Sequence, residues 1–343
     1  MRKEVLAVGC ALMVFCGCGK NNAAQHYESG WAAMEKKDYT TAVNEFQQVI
    51  DQNSKLAESY RAEGIAYYSE KAYPEAIAAF SRSLNNMDDP DKEFKKDVQF
   101  YLAQARMDYG EVDKAIEVYS EILAGEDEQA FFLRGKAYIS MEDYKNAEKD
   151  FQRALEGCED YNLYINIYQI YVDHNKAVDG DAYLKMALEL EPQDGEDCYH
   201  RGRIYEYEKN YEAARDELKT AMEQGYEDAM LLLGRVYLEM EDPASARSMY
   251  QEYLQKSEQG AKAYNGLAMC DIYDGAYDSA LENIAQGLKE NSKEDEQGLL
   301  YNEIVAYEYK RDFATAKEKM KIYLEQYPED EAALRENEFL STR

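Results

Sequence analysis

The chain has 343 residues, of which 69 are acidic and 39 are basic, so its formal net charge at pH 7 is −30. This balance disfavours nucleic acid as a partner, because phosphate binding needs clustered lysine and arginine. With 45% hydrophobic and 13% aromatic residues, the chain is also too apolar to be an acidic disordered protein. A folded protein is therefore expected. The use of 32 tyrosines with a single tryptophan indicates one local pattern copied many times.

Residues 1–17 are expected to form an export signal. Two basic residues precede an apolar run over residues 5–15, which is far shorter than the roughly 20 residues of a membrane-spanning helix. The run ends in Phe15-Cys16-Gly17-Cys18, which resembles the bacterial lipoprotein signal, and this resemblance implies that Cys18 carries the lipid. Two acyl chains on one cysteine would anchor the chain stably. A secretory peptide without lipid and lipidation at Cys10 stay open as alternatives.

The lipoprotein resemblance also predicts where the protein is located. Residues 18–22 would be the lipidated cysteine and a short tether, on the outer face of the bacterial cytoplasmic membrane or on the outer membrane. Cys158, Cys198 and Cys270 would then be the other cysteines of the processed chain. Because their number is odd and they lie far apart, we interpret each as a small buried core residue and expect no disulfide framework.

From residue 23 to residue 328, the sequence repeats with a period of about 34 residues. The clearest column holds a small residue at intervals of 32 to 39 residues: Ala42, Ala76, Ala115, Ala147, Gly180, Ala214, Ala246, Ala280 and Ala316. The position twelve residues before each is glycine or alanine in seven of the nine copies, with Tyr168 and Ile304 as exceptions. Apolar spacings of three, four and seven predict two amphipathic helices per copy, joined by a short turn. Since one hairpin cannot bury its apolar faces alone, the copies must stack.

These columns resemble the tetratricopeptide repeat over residues 23–328. The resemblance implies an all-α fold, an α-solenoid wound as a right-handed superhelix of about nine helical hairpins. The expected hairpins are residues 23–56, 57–90, 96–127, 128–160, 161–194, 195–226, 227–260, 261–296 and 297–328. Residues 329–343 are expected to form a C-terminal capping helix. The fifth hairpin departs from the family pattern at Tyr168 and Gly180.

The resemblance further implies that the first helix of every hairpin lines a concave groove. Carrying the groove positions onto this chain gives Tyr27, Trp31, Arg61, Tyr68, Phe100, Tyr101, Asn166, Tyr199, Arg203, Tyr207, Arg235, Asn265, Tyr273, Tyr301 and Asn302. Aromatic side chains mixed with asparagine and arginine are typical of protein-binding surfaces. The predicted partner is a protein or peptide, with Tyr199, Arg203, Tyr207 and Arg235 as central anchors. A basic or amphipathic partner would suit the acidic residues expected along the same groove.

The sequence contains no motif for catalysis or for a metal. His26, His174 and His200 lie in different copies, and no H-x-x-x-H pair, G-x-S-x-G elbow or phosphate-binding glycine loop occurs. Acidic runs such as Glu294-Asp295-Glu296 are interpreted as solvated faces and loops. We therefore expect a membrane-anchored scaffold for partner proteins, not an enzyme, with no cofactor and no metal. The alternative is a lipoprotein that binds glycans or cell wall in the same groove, although Trp31 is its single tryptophan.

Overall fold

The described part of the protein is entirely helical. A computed structural model describes residues 22–87, 91–123 and 126–343, so the predicted signal peptide and Cys18 lie outside the described residues. These ranges contain nineteen α-helices and no β-strand, which confirms the expected all-α fold. The helices are α1 Asn22–Glu35, α2 Tyr39–Asp51, α3 Leu56–Ser69, α4 Tyr73–Asn85, α5 Lys92–Tyr109, α6 Val112–Ile122, α7 Glu128–Ser140, α8 Tyr144–Ala154, α9 Tyr161–Asp173, α10 Ala177–Leu188, α11 Gly195–Tyr207, α12 Tyr211–Glu223, α13 Ala229–Glu239, α14 Pro243–Lys256, α15 Ala261–Tyr273, α16 Tyr277–Lys289, α17 Lys293–Tyr309, α18 Phe313–Gln326 and α19 Glu331–Ser341. No described helix combines the length and the apolar character that crossing a bilayer requires.

The chain divides into two compact units, with the boundary inside α10 between Tyr183 and Leu184. In the first unit, each helix from α1 to α8 packs against the next one along the chain, and α11 to α19 pack in the same way in the second unit. The odd-numbered first helices of neighbouring hairpins also contact one another, as α3 contacts α5 and α13 contacts α15. Each unit is therefore built as a solenoid of stacked helical hairpins.

Every hairpin turn is closed by one residue with a positive φ angle. In the described chain these residues are Lys37, Lys71, Gly110, Glu142, Asn175, Lys209, Glu241, Gly275 and Arg311. The residue that follows donates its N–H to a carbonyl five residues earlier, as Asp38 does to Ala33 at 2.9 Å. This bond satisfies a carbonyl that the end of the first helix leaves free. The Asp38 side chain then accepts from the N–H of Thr41 at 3.1 Å and caps the second helix.

The glycines of the repeat pattern lie directly against buried side chains of the second helix. A Cβ atom on Gly64 would lie 2.6 Å from Cε1 of Phe80, and one on Gly135 would lie 2.6 Å from Cε1 of Phe151. Both rings are fully buried. Gly30 faces Phe46, Gly202 faces Leu218 and Gly234 faces Tyr250 in the same way. The small column is therefore required because a large side chain sixteen residues later packs onto the helix backbone.

At the two small columns, the fifth hairpin has a larger residue than most hairpins at the first position and a smaller one at the second. Tyr168 stands where most hairpins have glycine or alanine, and Gly180 stands where the other hairpins have alanine. A Cβ atom on Gly180 would lie 3.0 Å from Cδ2 of Tyr168 and 3.0 Å from Cβ of Tyr171. Tyr168 is nevertheless buried. The missing methyl group at Gly180 therefore makes room for Tyr168, and the departure from the repeat pattern is compensated inside one hairpin.

Part of the charge lies between the two helices of a hairpin. Arg134 donates from Nε and Nη2 to the two carboxylate oxygens of Asp150, at 2.7 and 2.8 Å, and the Asp150 side chain is 6% exposed. Arg201 pairs with Glu217 at 2.9 Å with the same sixteen-residue separation. A planar guanidinium that holds a carboxylate at two points orients the two helices as well as neutralising the buried charge.

Of the three cysteines that were expected in the core, two are buried. Cys198 and Cys270 are buried free thiols, whereas Cys158 is half-buried in the turn after α8. The prediction for Cys158 was wrong because this turn leaves the side chain partly open to solvent. Burial raises the pKa of the Cys270 thiol to about 11. This thiol therefore stays protonated and behaves as a small apolar group.

The last helix, α19, interacts with α17 through two carboxyl groups, those of Glu336 and Glu308. Burial, together with the charge and hydrogen bond of Glu336 in α19, raises the pKa of Glu308 in α17 to about 7 from an ordinary 4.5. Between these pH values, the folded chain binds a proton that the unfolded chain does not bind. The free energy of unfolding should therefore fall as the pH rises from about 4.5 to about 7.

Glu308→Gln should remove this pH dependence. We expect the unfolding temperature of the variant to fall less between pH 5 and pH 8 than that of the parent protein. The expected difference is about 2 °C, since both side chains are half-buried and screening by solvent limits the contribution of the pair to about 1 kcal/mol. Thermal unfolding at several pH values measures it, with Glu318→Gln on α18 as the control of equal charge. If the unfolding temperatures of the parent and of Glu308→Gln changed equally with pH, the raised pKa of Glu308 would be contradicted.

Candidate functional site

The predicted groove residues lie on first helices, but in the first unit the aromatic ones pack mostly against neighbouring helices. Tyr27 and Trp31 meet the buried ring of Phe46 edge to face, with centroid distances of 5.8 and 5.5 Å. Tyr101 stacks on Phe80 at 5.5 Å. Phe100 likewise lies 6.4 Å from the ring of buried Tyr119. These side chains therefore contribute to packing as well as to the exposed face of the first helices.

The polar groove residues of the first unit have partners within the chain. Arg61 pairs with Asp97, and its guanidinium lies 5.2 Å from the ring centroid of Tyr101. The Tyr68 hydroxyl donates to Asp108 at 2.5 Å. Asn166 is half-buried on α9. The charge of Arg61 is therefore already matched by Asp97 within the chain.

Three of the four predicted central anchors come together in the second unit. The guanidinium of Arg203 lies 5.9 Å from the ring centroid of Tyr199. Arg235 on α13 pairs with Glu206 on α11, with Nε 2.6 Å from Oε1 and Nη2 2.7 Å from Oε2. Burial raises the pKa of Tyr199, and the nearby positive charges of Arg203 and Arg235 oppose this rise. The hydroxyl therefore stays protonated at neutral pH. Tyr207 is half-buried at the end of α11.

A cavity of about 780 Å³ opens beside these anchors, among α11, α13, α14, α15 and the start of α17. The predicted residues Tyr199, Arg235 and Asn265 line it. Leu231, Met269 and the rings of Tyr250 and Tyr253 supply its apolar walls. Its volume is within the range of small-molecule and side-chain binding sites. The sequence-based groove positions therefore locate one real concavity in the second unit.

A second hollow of about 370 Å³ lies at the end of the same row of helices. Tyr301 and Asn302, both predicted groove residues, line it together with residues of α18 and α19. Glu294 and Gly298 line both cavities, so the two meet there. The Asn302 amide donates to the Asn265 side chain at 2.7 Å and links the helices on which the two cavities are built. Tyr273 is 54% exposed on α15 and lines neither cavity.

Several charged residues of the larger cavity were not among the predicted ones. They are Lys262, Glu290, Glu294 and Asp295. Glu294-Asp295-Glu296 form the first turn of α17, and the interpretation as a solvated face holds for Glu294, whose side chain is 78% exposed, but was wrong for Asp295, whose side chain is 16% exposed. Lys262 lies 3.7 Å from Glu294 and 3.9 Å from Asp295. The groove offsets missed these residues because they belong to helix starts and turns between hairpins.

The cavity offers no metal site. Within residues 22–87, 91–123 and 126–343, no three histidine, cysteine, aspartate or glutamate side chains are grouped so that they could hold a metal ion. His200 is buried, with its Nδ1 3.3 Å from Nη1 of Arg203. The described lining of the cavity supplies aromatic rings, charged groups and the amide of Asn265.

The solved structures to which the chain is similar include the following three. A tetratricopeptide repeat protein from Parabacteroides merdae is 16% identical, with a TM-score of 0.46, over 83% of this chain and 99% of that chain. Yeast Tom70 is 15% identical, with a TM-score of 0.49, over 89% and 78% of the two chains. YrrB, described as a tetratricopeptide repeat protein with an unusual peptide-binding site, is 26% identical with a TM-score of 0.36, over 55% and 97%.

The family assignment comes from the repeat itself. Comparison with curated protein sequences finds no significant match. One family model described as tetratricopeptide repeat matches residues 27–91, 199–261 and 231–296, and a second model of the same description matches residues 128–160. The matched segments together cover more than half of the chain, and each consists of the helical hairpins described above. The chain belongs to the tetratricopeptide repeat family.

Proposed function

We propose that this protein is a membrane-anchored, extracytoplasmic scaffold that holds a segment of a partner protein on its first helices, without catalysis. Tetratricopeptide repeats serve as protein-interaction scaffolds, and this coarser role follows from the family. The single observation that carries the finer proposal is the cavity lined by Tyr199, Arg235 and Asn265, three residues at groove positions. A large aromatic contact beside directional hydrogen-bonding groups is the usual composition of a binding centre.

The proposed location depends on the first residues of the chain. Lipidation of Cys18 would place the first hairpin within a few residues of the membrane surface, and export would put the scaffold outside the cytoplasm. Cys18→Ser should therefore release the protein from the membrane fraction and abolish labelling by a palmitate analogue. Retention of the variant in the membrane fraction, with labelling unchanged, would remove this part of the proposal.

Site-specific crosslinking tests the partner-binding part. A photoreactive phenylalanine analogue at Met269, which lines the cavity and is 42% exposed, should form adducts with a defined protein segment in native membranes. The same analogue at Ile322 on α18, which is 45% exposed, serves as the control. Tyr199→Ala should reduce the Met269 adducts by about tenfold, because truncating a central aromatic contact costs of the order of 1–2 kcal/mol.

Two results would overturn the partner-binding proposal. The first is an equal yield and identity of adducts at Met269 and Ile322, which would mean that the cavity is not the contact surface. The second is tight binding of a cell-wall or plant glycan by the purified full chain, lost in Tyr199→Ala. That result would favour the glycan-binding alternative.

A further inference from the structure

We infer that the two joined cavities of the second unit hold one extended basic segment of the partner, with a lysine or arginine side chain in the larger cavity. This inference rests on the proposed function and deepens it, because it names the chemistry of the segment. Three observations support it. The two cavities are continuous, the lining of the larger one carries an excess of negative charge, and apolar side chains form walls beside that charge.

The cavities are continuous along the first helices. Glu294 and Gly298 on α17 line both of them. Gly298 has no side chain to separate them, and a Cβ atom there would meet its nearest neighbour, Nδ2 of Asn265, at 3.4 Å. A chain in extended conformation advances about 3.3 Å per residue with side chains to alternate sides. Such a segment can place one side chain in each cavity while its backbone passes Asn265 and Gly298.

The charge of the larger cavity is negative after its internal pairs are taken into account. Its charged lining consists of Asp228, Arg235, Lys262, Glu290, Glu294 and Asp295. Arg235 is matched by Glu206 through two hydrogen-bonded contacts of 2.6 and 2.7 Å, so it does not neutralise the cavity. Lys262 is shared between Glu294 and Asp295. The described lining therefore carries four carboxylates against two cations, and one of these cations, Arg235, is already held by Glu206.

A lysine or arginine side chain fits this lining better than a simple cation does. Its aliphatic stem can lie along Leu231, Tyr253 and the ring of Tyr199, while the charged head reaches Asp228 or Glu290. An anionic segment is disfavoured because it would face the unbalanced carboxylates. The formal charge of −30 for the whole chain would also speed the encounter with a basic segment, although it would not place that segment in the cavity.

Selection from a random peptide library tests the inference without a known partner. Phage-displayed random 12-residue peptides are panned on the immobilised full chain, and the affinities of the selected peptides are measured by fluorescence anisotropy. We expect enrichment of lysine or arginine, and weakening of at least about fivefold in Glu290→Gln/Glu294→Gln. The control is Glu318→Gln/Glu325→Gln, which removes the same charge from the exposed side of α18 and should change the affinity less than twofold. Replacing the enriched basic residue of the peptide with glutamine should match the loss in the cavity variant.

The outcomes separate this inference from the proposed function. Selected peptides that are neutral or acidic and lose affinity in Tyr199→Ala would overturn the basic segment and support binding in the groove. Equal weakening in the cavity variant and in the α18 control would show that attraction is spread over the surface, and would also overturn the inference. A library that yields no peptide whose affinity depends on Tyr199 would overturn both.

Discussion

Replacing Tyr168 with alanine should lower the free energy of unfolding by about 3 kcal/mol, because removing a buried aromatic ring leaves a cavity that a rigid helix pair fills poorly. The ring is 8% exposed and lies against Gly180, the residue that makes room for it. Urea unfolding followed by circular dichroism measures the loss. Hydrogen exchange should place its largest effect in α9 and α10, since a repeat array transmits destabilisation mainly between neighbours.

A double-mutant cycle identifies the compensation between Tyr168 and Gly180. Gly180→Ala alone should destabilise the chain or leave it unchanged, because the clash at 3.0 Å opposes the gain of about 1 kcal/mol in helix propensity. In the Tyr168→Ala background, the same change should be more favourable than in the parent chain, since the contact with the Tyr168 ring is gone and the contact with Cβ of Tyr171 stays. The expected coupling is about 1–2 kcal/mol. Strictly additive effects would mean that the two residues do not compensate each other.

Gly266→Ala should destabilise the second unit by about 2 kcal/mol. A Cβ atom at this position would lie 2.3 Å from Cζ of Tyr250, and the same ring is also close to Gly234, whose Cβ would lie 2.6 Å from Cζ. The ring of Tyr250 therefore lies close to the backbones of both α13 and α15, so an added methyl group at position 266 must displace it. Overpacking of a buried site costs about 1–3 kcal/mol, which exceeds the gain of about 1 kcal/mol in helix propensity. Urea unfolding measures the difference.

Gly298→Ala is the matched control for this prediction. Gly298 also lies inside a helix, but it is exposed and its Cβ would have no neighbour closer than 3.4 Å. Alanine there should stabilise the chain by up to about 1 kcal/mol. Tyr250→Leu should relieve part of the clash in Gly266→Ala. If Gly266→Ala and Gly298→Ala changed stability in the same direction, the close contact with Tyr250 would not be the reason for glycine at position 266.

The repeat was readable from the sequence because it depends on local properties. A small residue twelve positions before another small residue, such as Gly64 before Ala76, predicts where two helices cross. The chain order of the nineteen helices follows from this periodicity and from the turn residues. The same reasoning found Tyr199, Arg235 and Asn265, since these positions occupy fixed offsets on the first helices. It could not show that Tyr27, Trp31 and Tyr101 also pack against core rings, because that depends on how each first helix packs against another helix, of the same hairpin for Tyr27 and Trp31 and of the preceding one for Tyr101.

By itself, the sequence determined the helical hairpins, their number and their stacking, because amphipathic spacing and turn chemistry act within one or two repeats. Only the tertiary structure decided which side chains share a cavity. Arg235 lies on α13, Lys262 at the start of α15 and Glu294 at the start of α17, so no offset within one repeat relates them. Arg235 looked like a free anchor, but it is held by Glu206 of another helix. Charge balance is a property of neighbours in space, so the acidity of this cavity became visible only when the hairpins were packed together.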